Sequence, residues 1–331
     1  MKFLRNALYV AITASGLMLV ACSGHPEASG GNASTAATTA IESEALPTSA
    51  TSAASGDESG SLPSFTPPPA SAIPDDKFGA MVRQGRDIFT DTQHYAKPYV
   101  GNGLNCVNCH LDAGRRANSA PLWAAYVRYP RYRAKNDKVN SFAERLQGCF
   151  RFSMNGKAPP ADSEIIKALT AYSYWLATGA PTGKNLQGFG YPKQGFSSPK
   201  PPDFARGQKV YADNCALCHG DDGQGQKVAD AYVFPPLWGA ESFNWGAGMG
   251  SINNAAAFIK ANMPFSRGGT LSDQAAWDVA YFMDAHERPQ DPRYAGSVAA
   301  TRKQHHDSKW SLYGVEVNGR VLGSGTAGNK Q

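Results

Sequence analysis

The sequence contains no apolar run of the roughly 20 residues needed to cross a bilayer. It has no lysine or arginine between Ser23 and Ala72 and one aromatic residue, Phe65, in that stretch; the whole chain of 331 residues has six cysteines. The shortage of apolar length at the N-terminus excludes a comfortable membrane span: Lys2 and Arg5 are followed by an apolar run only from Ala7 to Val20, the pattern of an export signal. The shortage of aromatics excludes a folded core between Ser23 and Ala72. That segment, made of Ser, Thr, Ala, Gly and Pro, reads as a flexible tether with an end-to-end distance on the order of 40 Å for about 50 residues. The remaining length suits about two modest domains.

The apolar run ends in Leu-Val-Ala-Cys, which resembles the bacterial lipobox and predicts cleavage before Cys22 and acylation of its sulfur. The expected organisation is a lipoprotein signal peptide (1–21) and a lipid-anchored tether (22–73). Two domains (74–198 and 199–294) and a loosely packed Gly-, Ser- and Lys-rich tail (295–331) follow. The chain is then expected on a bacterial membrane, facing the periplasm or the outer surface.

Four of the six cysteines fall into Cys106-Val-Asn-Cys109-His110 and Cys215-Ala-Leu-Cys218-His219. In such a motif two thiols add across the vinyl groups of a haem and the adjacent histidine becomes an axial ligand of the iron. A redox dithiol or half a zinc site would not need the neighbouring histidine twice. Two covalently attached haems c are therefore expected. Setting Cys22 aside for the lipid leaves one unassigned cysteine, Cys149, in Glu144-Arg-Leu-Gln-Gly-Cys-Phe-Arg-Phe-Ser-Met-Asn-Gly156.

The offset of 109 residues between the two motifs also carries Ala171-Tyr172 onto Ala280-Tyr281, so the chain reads as two copies of one unit. Phe78, Met81, Val82, Gly85 and Phe89 follow helical spacing behind Asp75 and Asp76, and Gly85/Phe89 match Gly207/Tyr211 in the second copy. Closing helices are predicted from Ser163 to about Thr178, capped by Asp162 and stopped by Gly179, and from Asp273 to about His286, capped by Ser272. Crossed terminal helices with a glycine at the crossing resemble the cytochrome c fold. The predicted fold class is mainly α, two tandem cytochrome c domains with one haem each.

In that fold the second axial ligand comes from the loop before the last helix. The second copy offers Met263 in Asn262-Met-Pro, with Met249 as the weaker alternative. The 109-residue offset carries Met263 back to Met154, whereas the leftover thiol nominates Cys149. A thioether favours ferrous iron and a thiolate ferric iron; the repeat leaves both residues open for the first haem.

The segments Asn102–Arg115, Glu144–Gly156 and Phe258–Phe265, in that order, resemble the dihaem thiosulfate dehydrogenases, over roughly residues 78 to 290. The resemblance implies His110 and Cys149 as the axial ligands of an active-site haem and His219 and Met263 at an electron-exit haem. Some members carry a lysine where this chain has Asn262, which cannot compete for iron. The implied reaction couples two thiosulfates to tetrathionate and releases two electrons, and its reverse, tetrathionate reduction, is open to the same site. Cys149 is expected to leave the iron and hold the first thiosulfate as a covalent sulfur adduct. An external redox partner, another c-type cytochrome, is expected.

Charge supports an anion site. Ten basic residues and two acidic ones lie between Arg115 and Lys157, a local excess of +8, while residues 203–293 carry a net −4. A positive funnel would concentrate small dianions. Arg145 is the leading anion-binding candidate, followed by Arg151, Ser153 and Lys157. Nucleic acid is a poor fit for a basic run wrapped around a haem outside the cytoplasm. Two other classes predict differently. A dihaem electron carrier would have two His/Met haems and be indifferent to Cys149, and a dihaem peroxidase would need a displaceable distal position.

Overall fold

The computed structural model describes residues 61–193, 196–229 and 231–326. The expected signal peptide, the lipidated Cys22 and most of the tether lie outside the described residues. No helix among the described residues is long and apolar enough to cross a membrane. The described residues are mainly helical, with three short antiparallel hairpins among them.

The first half is built on α1 (Lys77–Thr90), α2 (Phe142–Phe152) and α3 (Glu164–Leu176). Asp76 caps α1 by accepting from Gly79 N at 2.7 Å. The buried stripe of α1 is Gly79, Val82, Gly85, Ile88 and Phe89, whereas Phe78 is exposed at 39%. Ser163, not Asp162, caps α3, its hydroxyl accepting from Ile166 N. The serine wins because it sits directly at the first unsatisfied amides. α1 and α3 pack against each other through Gly85, where a Cβ would stand 2.0 Å from the Ala168 carbonyl oxygen.

The second half repeats the arrangement with α4 (Phe204–Asn214), α5 (Ile252–Asn262) and α6 (Asp273–Asp284). Gly207 takes the role of Gly85, with a Cβ position 2.1 Å from the Asp278 carbonyl. The neighbours of the two glycines correct the repeat register. Gly85 meets Tyr172, and Gly207 meets Phe282, so the closing helices correspond one residue further along than Tyr172/Tyr281. Tyr172 and Phe282 are buried and Tyr281 is not, because a shift of one residue turns a side chain by about 100° around a helix.

Two expectations of looseness are overturned. The end of the tether is ordered before residue 74. Phe65 packs on Trp123 with ring centroids 5.4 Å apart, and Arg115 donates to the carbonyls of Pro67 and Pro68. A Pro-rich segment has no internal partner for its carbonyls, and Arg115 supplies one. The C-terminal segment, predicted as loosely packed, is folded through residue 326. Tyr313 is fully buried, Leu312 and Leu322 nearly so, and Trp310 packs against Trp277. The Glu287 carboxylate, sunk beneath it, accepts from Gly323 N, Ser324 N, Gly325 N and Trp245 Nε1 at 2.9–3.2 Å. Glycines and serines there serve as backbone donors, which composition alone does not reveal.

Candidate functional site

Both Cys-x-x-Cys-His motifs place their histidines identically. His110 Nδ1 lies 2.7 Å from the Ala120 carbonyl and His219 Nδ1 lies 2.9 Å from that of Pro235. A carbonyl only accepts, so each Nδ1 carries the proton and each Nε2 keeps its lone pair for a metal. Burial lowers both histidines, His110 to about 4, which keeps the imidazoles neutral. None of the five described cysteines is in a disulfide. Burial pushes the Cys106 and Cys109 thiols up to about 12 and 11, so both are held protonated. No cluster of three or more His, Cys, Asp or Glu among the described residues could hold a metal ion.

The second motif opens on a cavity of about 310 Å³ with a mostly apolar wall, in which Cys215, Cys218, His219 and Met263 all stand. A haem bound by two thioethers, one imidazole and one thioether sulfur fits this donor set. Met249 lines the same cavity. Asn262 is turned away into hydrogen bonds to the carbonyls of Phe258 and Asn118, both at 3.0 Å. The far wall belongs to the first motif: Leu104, Val107, Asn108 and Cys109 line this cavity too.

At the first motif, His110 lines a cavity of about 400 Å³ together with Arg128, Tyr129, Lys135 and Arg145. Helix α2 brings Cys149 to this place. A capping box between Ser141 and Glu144 starts the helix, and the four-residue spacing stacks Arg145 over Cys149 on one face. Arg145 Nη1 donates to Cys149 Sγ at 2.8 Å. Cys149 lies near enough to Cys106 and Cys109 for its charge to add to the rise of both. Met154 instead is buried at 2% exposure in the core cluster, its amide bonded to the Cys149 carbonyl at 3.0 Å and its carbonyl taken by Gly101 N.

A larger basin of about 520 Å³ adjoins Cys149 through Gly148, and Arg145 stands in the wall of both spaces. Arg151 and Ser153 line it; Lys157 is exposed and does not. Glu144, the one carboxylate in its wall among the described residues, is paired with Lys138 at 2.6 Å and held down at about 2. Several functional side chains escape sequence reasoning. Lys135 and Arg293 converge on the Phe152 ring, 4.2 and 5.0 Å from its centroid. Tyr191 lies beside Arg145 and Cys149 and packs on Phe258 with centroids 5.7 Å apart. Charge counting includes Lys135 as one of ten and Arg293 only within a net acidic stretch, so nothing local marks Arg293, which arrives from the end of the second half.

Residues 91–182 match the family "SoxA/TsdA, cytochrome c domain", and residues 202–283 match "Cytochrome C oxidase, cbb3-type, subunit III". The chain is 65% identical over 262 residues to the thiosulfate dehydrogenase of Thiomonas intermedia, covering 78% of this chain and 82% of that one. It is 61% identical to that of Stutzerimonas stutzeri over 266 residues, 79% and 85% of the two chains. The solved structure of the thiosulfate dehydrogenase TsdBA from Marichromatium purpuratum in its as-isolated form superposes with a TM-score of 0.76 at 49% identity. That match covers 80% of this chain and 58% of that one. The chain is a tandem cytochrome c protein with two c-type haem sites.

Proposed function

The chain belongs to the thiosulfate dehydrogenase family, and we propose that it oxidises thiosulfate at Cys149, joining two molecules into tetrathionate in a reaction that runs in either direction. The observation that carries this reading is the 2.8 Å contact from Arg145 to the Cys149 sulfur at the edge of a basic basin. Cys106, Cys109, His110 and Cys149 would hold one haem, and Cys215, Cys218, His219 and Met263 the other. The haems, when bound, supply the acceptor for two electrons.

The chain's residues do the rest. The Cys149 sulfur and the outer sulfur of one thiosulfate form an S–S bond, giving up two electrons. A second thiosulfate then attacks the outer sulfur of that adduct, breaking the bond to Cys149 and leaving tetrathionate and the free cysteine sulfur. Two dianions must approach one another, and Arg145, Arg151 and the basin around them offset that repulsion. Arg145 also faces the Cys149 sulfur when it carries negative charge as leaving group. The electron partner is a second c-type cytochrome, and the sequence of the first 22 residues supports a lipid-anchored chain outside the cytoplasm.

The test is Cys149→Gly in protein carrying both haems. Turnover of thiosulfate with an artificial acceptor, and one tetrathionate per two thiosulfates, are expected from the parent and lost in the variant. A variant that keeps most of its rate overturns the covalent role.

A further inference from the structure

Arg293 lies beyond α6, the closing helix of the second half, yet its guanidinium lines the basin that adjoins Cys149 through Gly148. Its position is fixed from below. Asp291, whose side chain is fully buried, accepts from Arg293 Nε at 3.0 Å and Nη2 at 2.6 Å, and from His306 Nε2 at 2.9 Å. The guanidinium is thereby pinned against Phe152, three residues after Cys149, and keeps 19% of its side-chain surface open. Lys135 reaches the same ring from the hairpin formed by Arg131–Arg133 and Lys138–Asn140, and its ammonium donates to the Gly246 carbonyl.

Two cations on one aromatic ring, with Arg145 nearby, are an unbalanced arrangement. Asp291 is already engaged by Arg293 and His306, and Glu144 by Lys138. Burial, then Arg293 and Arg145, push Lys135 down to about 7. Arg145, Lys135 and Arg293 thus share one carboxylate, Asp291, and the repulsion left between them is a cost in the free protein that an arriving anion lowers. The basin runs continuously from Gly148 to Arg293.

We propose that Arg293 and Lys135 form a second oxyanion seat, which holds the sulfonate of the second thiosulfate, or the far sulfonate of tetrathionate, while Arg145 serves the end at Cys149. This rests on the covalent reading above and adds a positioning role for the C-terminal segment. Tetrathionate, with a sulfonate at each end of a sulfur chain, would occupy both seats at once. The seat makes the attack of the second thiosulfate effectively intramolecular.

Tetrathionate tests it without any external oxidant, because the Cys149 sulfur attacks an inner sulfur, forms the thiosulfate adduct and releases one thiosulfate. The parent holoprotein, Arg293→Gln and Arg293→Lys are each mixed with a range of tetrathionate concentrations, and the mass gain of one S2O3 unit and released thiosulfate are followed. Methyl methanethiosulfonate, neutral and single-ended, serves as a control on thiol reactivity. The expected result is a half-saturating tetrathionate concentration raised about tenfold or more in Arg293→Gln, the share of one charge-assisted contact. The expected control rate is unchanged, and Arg293→Lys recovers part of the loss. An unchanged concentration dependence overturns the seat, and so does equal slowing with both reagents, which marks a structural role. No adduct in the parent overturns the covalent reading and the seat with it.

Discussion

Arg145 and Cys149 stand one helical turn apart on α2, and the guanidinium donates to the sulfur at 2.8 Å. The cavity beside His110 and the basic basin meet here, with Arg145, Arg133 and Lys135 in the wall of both. Arg145→Gln keeps the length and one donor but removes the charge. It is expected to lower kcat/KM for thiosulfate by roughly 10²-fold or more, the cost of losing one charged donor at a reacting atom. Steady-state kinetics on protein with both haems attached check this, and a loss under threefold would exclude Arg145 from the chemistry.

The pH dependence of substrate capture should follow Lys135, which burial and the neighbouring Arg293 and Arg145 bring down to about 7. Below that pH Lys135 is charged and attracts a dianion; as pH rises through it the charge is lost. KM for thiosulfate is expected to rise from about pH 6 to pH 8. Lys135→Gln should show a flatter profile, with a higher KM at the acid end, in initial-rate measurements across the range.

The helix crossings tolerate no side chain. A Cβ on Gly85 or Gly207 would fall 2.0 or 2.1 Å from a backbone oxygen of the opposing helix. Gly85→Val or Gly207→Val is expected to cost about 1–3 kcal/mol or more by overpacking. Thermal melts of the holoprotein would show the lower midpoint, and haem content would fall with it.

Asp284 and Arg288 form an ion pair at 3.2 Å with both side chains fully buried. Burial raises Asp284 to about 7 even against its arginine. Arg288→Met leaves that carboxyl without its partner and should destabilise the fold by about 3–5 kcal/mol at neutral pH. An Asp raised above its unfolded value destabilises increasingly as pH climbs through that range and ceases to do so once protonated. The variant should therefore regain stability toward pH 4–5, where denaturant melts would show a smaller deficit than at pH 8.

Much of this was legible in the sequence, for identifiable reasons. The haem motifs, the crossing glycines and the capping serine at 272 are local signals whose physics is contained within a few residues. Cys149 stood out by exclusion, because the other cysteines had assignments. The repeat, however, nominated Met154 with equal force, and only packing places that side chain in the core. The ordered C-terminal segment was missed because Glu287 binds backbone amides of Gly323, Ser324 and Gly325, and any sequence carries such donors. Arg293 was missed because it acts more than 140 positions away from Cys149 in the chain; proximity of that kind exists only after folding.

Leu104, Val107, Asn108 and Cys109 belong to the first haem motif and its approach, yet they form part of the wall around the second. The two haem sites therefore share part of one wall. A substitution at Val107 that altered the polarity or water content of that wall would change the surroundings of the second haem site from within the first motif. Neither half can be lifted out as a spare part: a cut between them would leave Leu104 and Val107 facing water and the second haem with one side undressed.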